Sequence, residues 1–407
     1  MANNKTFCFA SRFAIRSGMQ NDIVPCCHVD KKASDFTGEK DYYAIADWQN
    51  SEYFKYMNDN LEAGNKISEC NNCWKKEEAG LLSLRNIYHQ TFIKEDDINN
   101  SWVKNALKHD NVLMHADIKT NNLCNFSCAM CNPADSTQIY NRWAKDKSNE
   151  FVQEVLADEP DYFERTKNTF MVNEYRTLLY ALSKEIKSIK LLGGEPFIDT
   201  KLLTILDNVP ADKASKVRLH FVSNGSVDFI PIMKRLDKFK YISVSVSLEG
   251  IGDAQDYIRK GSHWPEVENN ILMFRDYCQH NIEKHHVGIV NTIQALSLEH
   301  MDKFIKWTHS NKLTVGFSLT DHPSYLTLDA LGIDYVNTIR DNIKELDFNN
   351  SAGYIENESD KRIDEYLTHK YKPELKAKFT RYIEWYEQDS SLKMKDVMPK
   401  LYEEVTK

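Results

Sequence analysis

Between residues 106 and 325 the chain alternates between short apolar or β-branched runs and stretches with helical spacing, and this alternation narrows the fold more than any other feature. The strand-like runs are Val112–Lys119, Ile186–Leu192, Val217–Val222, Tyr241–Leu248, His286–Gln294 and Leu313–Leu319. Helical signals fall between them. One helix is expected to start near Asp199 or Thr200 and to run through Leu202, Leu203 and Leu206; another runs from Leu298 through Met301, Phe304, Ile305 and Thr308. Six strands with intervening helices predict an α/β fold with a parallel sheet and right-handed crossovers. Whether the sheet is an open doubly wound one or a curved partial barrel, functional groups belong at the C-terminal ends of its strands.

The flanks read differently. Residues 1–105 hold five cysteines and short, irregular elements, with one clear helix: Ser51 caps it, Tyr53, Phe54, Met57 and Leu61 recur at helical spacing, and Gly64 ends it. Residues 326–407 read as helical, with apolar faces from Ile343 and Leu346 and from Tyr371, Leu375, Phe379, Tyr382, Ile383, Trp385 and Tyr386; the polar stretch Asp347–Asp360 reads as a loop. Three units are therefore expected, at 1–105, 106–325 and 326–407. A formal net charge of −8 supplies no global attraction to nucleic acid or to an anionic membrane. No apolar run is long enough to span a bilayer, and Met1–Lys5 leads into no signal-like stretch, so a cytoplasmic location is expected.

In a reducing cytosol, grouped cysteines point to metal or redox chemistry. Of nine cysteines, eight lie in the first third of the chain; Cys278 stands apart in a helical stretch and reads as a small buried hydrophobe. Cys124, Cys128 and Cys131 follow the first predicted strand with three and then two residues between them, placing three thiolates on one tight loop. Three thiolates can hold three irons of a cubane cluster and leave the fourth iron open to a small molecule. The competing reading is zinc completed by a distant ligand, Cys8 or a His, although zinc loops usually come as two separated cysteine pairs.

The C-x3-C-x2-C segment resembles the signature of radical S-adenosylmethionine enzymes, with Met130 where an aromatic residue usually precedes the third cysteine. Further motifs close successive predicted strands. Gly193-Gly194-Glu195-Pro196 resembles the family's GGEP motif, which contacts the cosubstrate's methionine amine. Ser223-Asn224-Gly225 resembles its Thr-Asn-Gly. The segment from Ser245 through Ser247 to Glu249 and Gly250 resembles its Ser-x-Asp-Gly, with Glu249 in place of Asp. Arg259 sits in a segment resembling the family's Tyr-x-x-x-Arg, where the arginine pairs with the methionine carboxylate, and Asn291 lies where it can face the same site. The resemblance covers about half the chain. It implies a partial (β/α)6 barrel, a [4Fe–4S] cluster with an open iron, bound S-adenosylmethionine, and a flavodoxin or ferredoxin-like electron donor.

Cys8, Cys26, Cys70 and Cys73 form a second set, with Cys27 as an alternative to Cys26 and His28 as a further possible ligand. Four thiolates suit zinc or a second iron–sulfur cluster, and spacing does not choose between them. The resemblance favours a cluster: twitch and SPASM-type members carry an auxiliary cluster domain with comparable cysteine pairs, though more often after the core than before it. What this implies is oxidative modification of a peptide or protein, with a small polar metabolite as the alternative substrate and a non-catalytic zinc adaptor as the alternative protein.

Overall fold

The computed structural model describes residues 5–17, 23–29, 45–78, 80, 82–93, 112–158, 175–320, 322–344 and 370–407. Its centre is an open eight-stranded sheet: β1 (Ala14–Ser17), β2 (Ile23–Val24), β3 (His115–Lys119), β4 (Ser188–Leu192), β5 (Arg218–Ser223), β6 (Tyr241–Ser247), β7 (His285–Ile293) and β8 (Thr314–Leu319), in the order β2-β1-β3-β4-β5-β6-β7-β8. Only the β1–β2 pair is antiparallel; the rest of the sheet is parallel. The six predicted strands are β3 to β8, with start points shifted by up to three residues. β1 and β2 are additional. The N-terminal segment thus extends the sheet itself, through Ala14 to Ser17 beside His115 to Ile118.

The sheet has two unlike faces. Ile118, Leu191, Phe221 and Val244 are fully buried on one face, where Phe221 meets Phe197 at 4.7 Å between ring centroids and Phe197 in turn meets Phe229. Parallel strands covered by helices on both faces read as continuous apolar runs. Here β5 and β6 alternate instead, as Arg-Leu-His-Phe-Val-Ser and Tyr-Ile-Ser-Val-Ser-Val-Ser. The face opposite the helices therefore carries a lateral polar row in register: Arg16, Asp117, Lys190, His220, Ser243 and His286. This face lines the inside of the partial barrel.

Local signals fix the helices. Asp199 caps Thr200–Asp207 by accepting from the Lys201 and Leu202 N–H groups, and Ser51 caps Glu52–Glu62 by accepting from Phe54 N–H. Gly64, at φ +91°, reverses the chain just beyond that helix. In the C-terminal third, Ile333–Lys344, Pro373–Tyr386 and Pro399–Thr406 are helical; the expected Asp347–Asp360 loop lies outside the described residues. An aromatic cluster docks Pro373–Tyr386 onto the barrel, with Trp385 against Trp143 and Phe151 at 5.8 and 5.6 Å.

Phe221 is fully buried on the helix-packed face, and large-to-small changes at such sites combine lost transfer energy with a cavity. Phe221→Ala should lower the unfolding free energy by about 3–5 kcal/mol in equilibrium denaturation; a loss under about 1 kcal/mol would mean that this face is not the core.

Candidate functional site

The loop from Thr120 to Asn132 leaves the C-terminal end of β3 carrying Cys124, Cys128 and Cys131, the first two buried and the third partly so. Two flanking segments hold its backbone. On one side, Gly194 N–H donates to Asn121 O (2.9 Å) and Glu195 N–H to Leu123 O (2.7 Å). On the other, Ser127 N–H donates to Lys260 O (2.7 Å) and Ala129 N–H to Ile258 O (2.8 Å). The approach on the first side explains both glycines. A Cβ on Gly194 would lie 2.0 Å from Leu123 O, and one on Gly193, at φ +145°, would lie 2.4 Å from Asn121 O. At both positions the backbone lies against that of the cysteine loop, with no space for a side chain.

Glu195 is fully buried and ties β4 to β5. Its carboxylate accepts from Phe197 N–H (3.1 Å), Ser223 Oγ (3.0 Å) and Asn224 N–H (2.6 Å). Pro196 opens the short turn that follows. Asn224 Nδ2 lies 2.9 Å from Asn125 Oδ1 and 3.9 Å from Cys124 Sγ, and so faces the loop. Sequence reasoning did not find the trio of Asn121, Tyr175 and Asp199: Asn121 Nδ2 bonds to Asp199 and to Tyr175, whose hydroxyl donates to Asp199 (2.9 Å). Asp199 thus caps a helix and anchors the first turn of the cysteine loop, and only the cap has a local sequence signal.

Glu249 and Arg259 form a two-point ion pair, one contact of which is 3.0 Å, and Arg259 Nη1 lies 3.7 Å from Cys128 Sγ. Burial works against the arginine's charge, but Glu249 and Cys128 outweigh it and raise its pKa. Gln255 Oε1 receives the N–H groups of Glu249 and Gly250 and fixes the turn between them. Ser247 ends β6 and is half-buried. Asn291 donates to Leu248 O (2.9 Å), while its Oδ1 and both polar atoms of Gln294 are buried without a hydrogen-bond partner at the end of β7. Met130 is half-buried, within the loop. The structure thus gathers the predicted residues at one end of the sheet, with Glu195 and Arg259 each already engaged by protein partners.

The N-terminal cysteines meet at the other end. β1 runs parallel to β3, and Cys8 precedes the helix Phe9–Phe13 that feeds its start; β2 runs back, so Cys26 returns to the same level. Cys8, Cys26, Cys70 and Cys73 line one pocket, together with His28, Arg85 and Tyr88, whereas Cys27 is exposed and outside it. Tyr88 connects this pocket to the barrel interior: its ring lies 5.3 Å from that of His115 at the start of β3. Among the described residues, no three Cys, His, Asp or Glu side chains are arranged to hold a single metal ion.

Burial raises the thiol pKa at both ends, up to about 11 for Cys8 and about 12 for Cys128, and well above the ordinary value for Cys26 and Cys131. Such thiols stay protonated until a cation compensates the charge. At the core loop, the N–H groups of Arg259 and Asn224 beside two sulfurs suit an anionic thiolate–metal group.

Residues 118–308 match the family model of the radical SAM superfamily. Similar solved structures include SuiB of Streptococcus suis bound to S-adenosylmethionine (14% identity, 65% of this chain and 60% of that one, TM-score 0.35). They also include anSMEcpe with bound AdoMet (14%, 57% and 59%, TM-score 0.35) and SuiB bound to the precursor peptide SuiA (15%, 67% and 57%, TM-score 0.35). The match spans about three-fifths of the length of each of these chains. No curated protein matches the sequence.

Burial pushes the Glu195 carboxyl up from 4.5 to about 7, against the N–H donors of Asn224 and Phe197 that favour its ionised form. An acid whose folded pKa is raised stabilises the fold fully below its unfolded pKa and loses that contribution as pH rises through the folded value. The unfolding free energy of the metal-free protein should therefore carry a decline of roughly 3 kcal/mol between about pH 4.5 and 7. Glu195→Gln should remove that component in denaturation curves taken across this range; an unchanged slope would assign the decline elsewhere.

Proposed function

We propose that the protein reductively cleaves S-adenosylmethionine at a [4Fe–4S] cluster held by Cys124, Cys128 and Cys131, and oxidatively modifies a peptide or protein. The observation that carries this reading is the placement of three cysteines on one braced loop at the C-terminal end of β3, inside the stretch that matches the radical SAM family model. When bound, a cluster with an open iron supplies one electron to S-adenosylmethionine, which divides into methionine and a 5′-deoxyadenosyl radical that takes a hydrogen atom from a substrate carbon. The electron comes from a flavodoxin or ferredoxin-like donor.

The chain's own residues do the rest. Gly193 and Gly194 bring the β4 turn onto the loop, and Glu195 locks that turn to Ser223 and Asn224. The cosubstrate lies against Met130, Gly193 to Pro196, Ser223, Asn224, Ser247, Glu249, Arg259 and Asn291. The buried, unpartnered atoms of Asn291 and Gln294 provide hydrogen bonds at the end of β7. Substrate occupies the polar inner face, where Asp117 Oδ1 is buried without a partner, Asp117 Oδ2 lies 3.7 Å from Lys190 Nζ, and His220 bridges Ser243 and Ser245.

Cys8, Cys26, Cys70 and Cys73 hold an auxiliary cluster, with zinc as the alternative. Four thiolates would leave no iron open, so a cluster held there would supply an electron acceptor or relay and favour two-electron oxidation. Its pocket lies at the opposite end of the polar face from the core loop, which supports a substrate position between the two. Residues 1–105, 106–325 and 326–407 then act as auxiliary, core and C-terminal helical units. Among the described residues β8 ends the sheet, which favours a peptide, since an extended main chain can add to an edge strand; a small polar metabolite is the second reading.

Metal counting after anaerobic reconstitution tests the assignment. The wild type should hold about eight irons, and the triple Cys→Ala variant at 124, 128 and 131 should lose about four of them. A Cys70→Ala/Cys73→Ala variant should keep the core cluster and its cleavage of S-adenosylmethionine. About four irons with one zinc in the wild type would remove the electron acceptor and leave the N-terminal site a structural role.

A further inference from the structure

The Pro373–Tyr386 helix lies outside the stretch that matches the radical SAM family model, yet it reaches the core cysteine loop from behind. Tyr382 and Tyr386 stand one turn apart on it, and both are buried. The Tyr382 hydroxyl donates to Ala129 O (2.7 Å), the carbonyl next to Cys128. The Tyr386 hydroxyl donates to Tyr257 O (2.8 Å) and shares its proton with Ile258 O (3.2 Å). These two acceptor sites lie on opposite sides of the ladder that joins Ser127 and Ala129 to Lys260 and Ile258. The helix backbone closes the same junction, with Lys260 Nζ donating to Tyr386 O (2.7 Å) and Arg142 Nη2 donating to Trp385 O (2.8 Å) and Tyr386 O (3.0 Å). Arg259 is the residue between the two it holds, Ile258 and Lys260.

We propose that this helix is an integral part of the core cysteine site, with Tyr382 and Tyr386 as positioning residues that lock the loop to the 257–260 segment and so fix Arg259 against Cys128. Two buried hydroxyls that meet main-chain carbonyls only at this ladder are not needed to fill space, because phenylalanine would pack the same cluster. Their geometric effect is to prevent the two halves of the ladder from sliding. The electrostatic consequence follows from Arg259: a cation that donates toward a cysteine sulfur stabilises the more negative, reduced state of an iron–sulfur cluster and raises its potential. This second consequence rests on the proposed cluster reading; the clamp does not.

Hydrogen exchange on the metal-free protein tests the clamp directly. In a Tyr382→Phe/Tyr386→Phe variant the amides of Ser127 and Ala129 should exchange about tenfold faster than in the wild type, with the global melting transition retained. Tyr325→Phe is the control: Tyr325 packs on Tyr382 at 4.9 Å between ring centroids, and removing its hydroxyl should leave those amides unchanged. Equal exchange in wild type and double variant, or an equal acceleration in the control, would overturn the clamp. After reconstitution, the double variant should keep its iron but show an approximately tenfold lower reduced-to-oxidised ratio at a fixed poised potential, about 59 mV for a one-electron couple. An unchanged ratio would overturn the electrostatic half. Failure of the wild type to bind iron would overturn that half together with the cluster reading, and the exchange result would still decide the clamp.

Discussion

Two main chains meet at the C-terminal end of the sheet with no room for a side chain between them. The Gly193–Gly194 turn lies so close to the carbonyls of Asn121 and Leu123 that a single added carbon at either glycine would overlap them. That contact seats the cysteine loop on the end of β4, and the other features of the site are consequences of it. The turn leads directly into Glu195, whose buried carboxylate gathers donors from its own turn and from the end of β5. The loop in turn presents Ser127 and Ala129 to the 258–260 segment. Three strand ends and one helix–turn segment are thereby held as a unit, the cysteine loop by main-chain bonds on both sides and the end of β5 by the buried Glu195 carboxylate.

Charge is arranged around that unit with little freedom. Glu249 is buried and Arg259 partly so, and they bond to each other at two points, so neither charge is left uncompensated. The remaining donors of Arg259 and Asn224 lean toward Cys128 and Cys124. At the far end of the same strands a second set of thiols, two of them buried, faces its own pocket, with Arg85 among the lining residues. Between the two ends runs a face of Asp, Lys, His and Ser that a purely structural parallel sheet would have filled with aliphatic side chains. A polar interior of this kind is costly to bury unless something occupies it, and it divides one barrel into two thiol-bearing ends and a polar middle.

Much of this was legible from residue order alone. The six core strands were readable because β-branched alternation survives in Val217–Val222 and Tyr241–Leu248, and the caps at Ser51 and Asp199 were readable because they act within three residues. β1 and β2 were not, since four- and two-residue strands carry too little pattern to separate from their surroundings. The motif residues were located by order along the chain, yet their partners were not. Glu195 finds Asn224 across 29 residues, and Tyr382 finds Ala129 across 253; no local periodicity encodes such contacts. Gly193 and Gly194 illustrate the difference: the motif they open is visible in the chain, and only the three-dimensional arrangement shows how closely they approach the cysteine loop.

The chemistry hinges on whether the braced loop supports one-electron cleavage of a sulfonium. The most direct measurement is chromatographic quantification of 5′-deoxyadenosine and methionine after the anaerobically reconstituted protein is reduced in the presence of S-adenosylmethionine. Matched formation of both, dependent on the reductant and absent when Cys128 is replaced by Ala, is the expected result. A fully reconstituted, fully reduced protein that binds S-adenosylmethionine and leaves it intact would contradict the assignment.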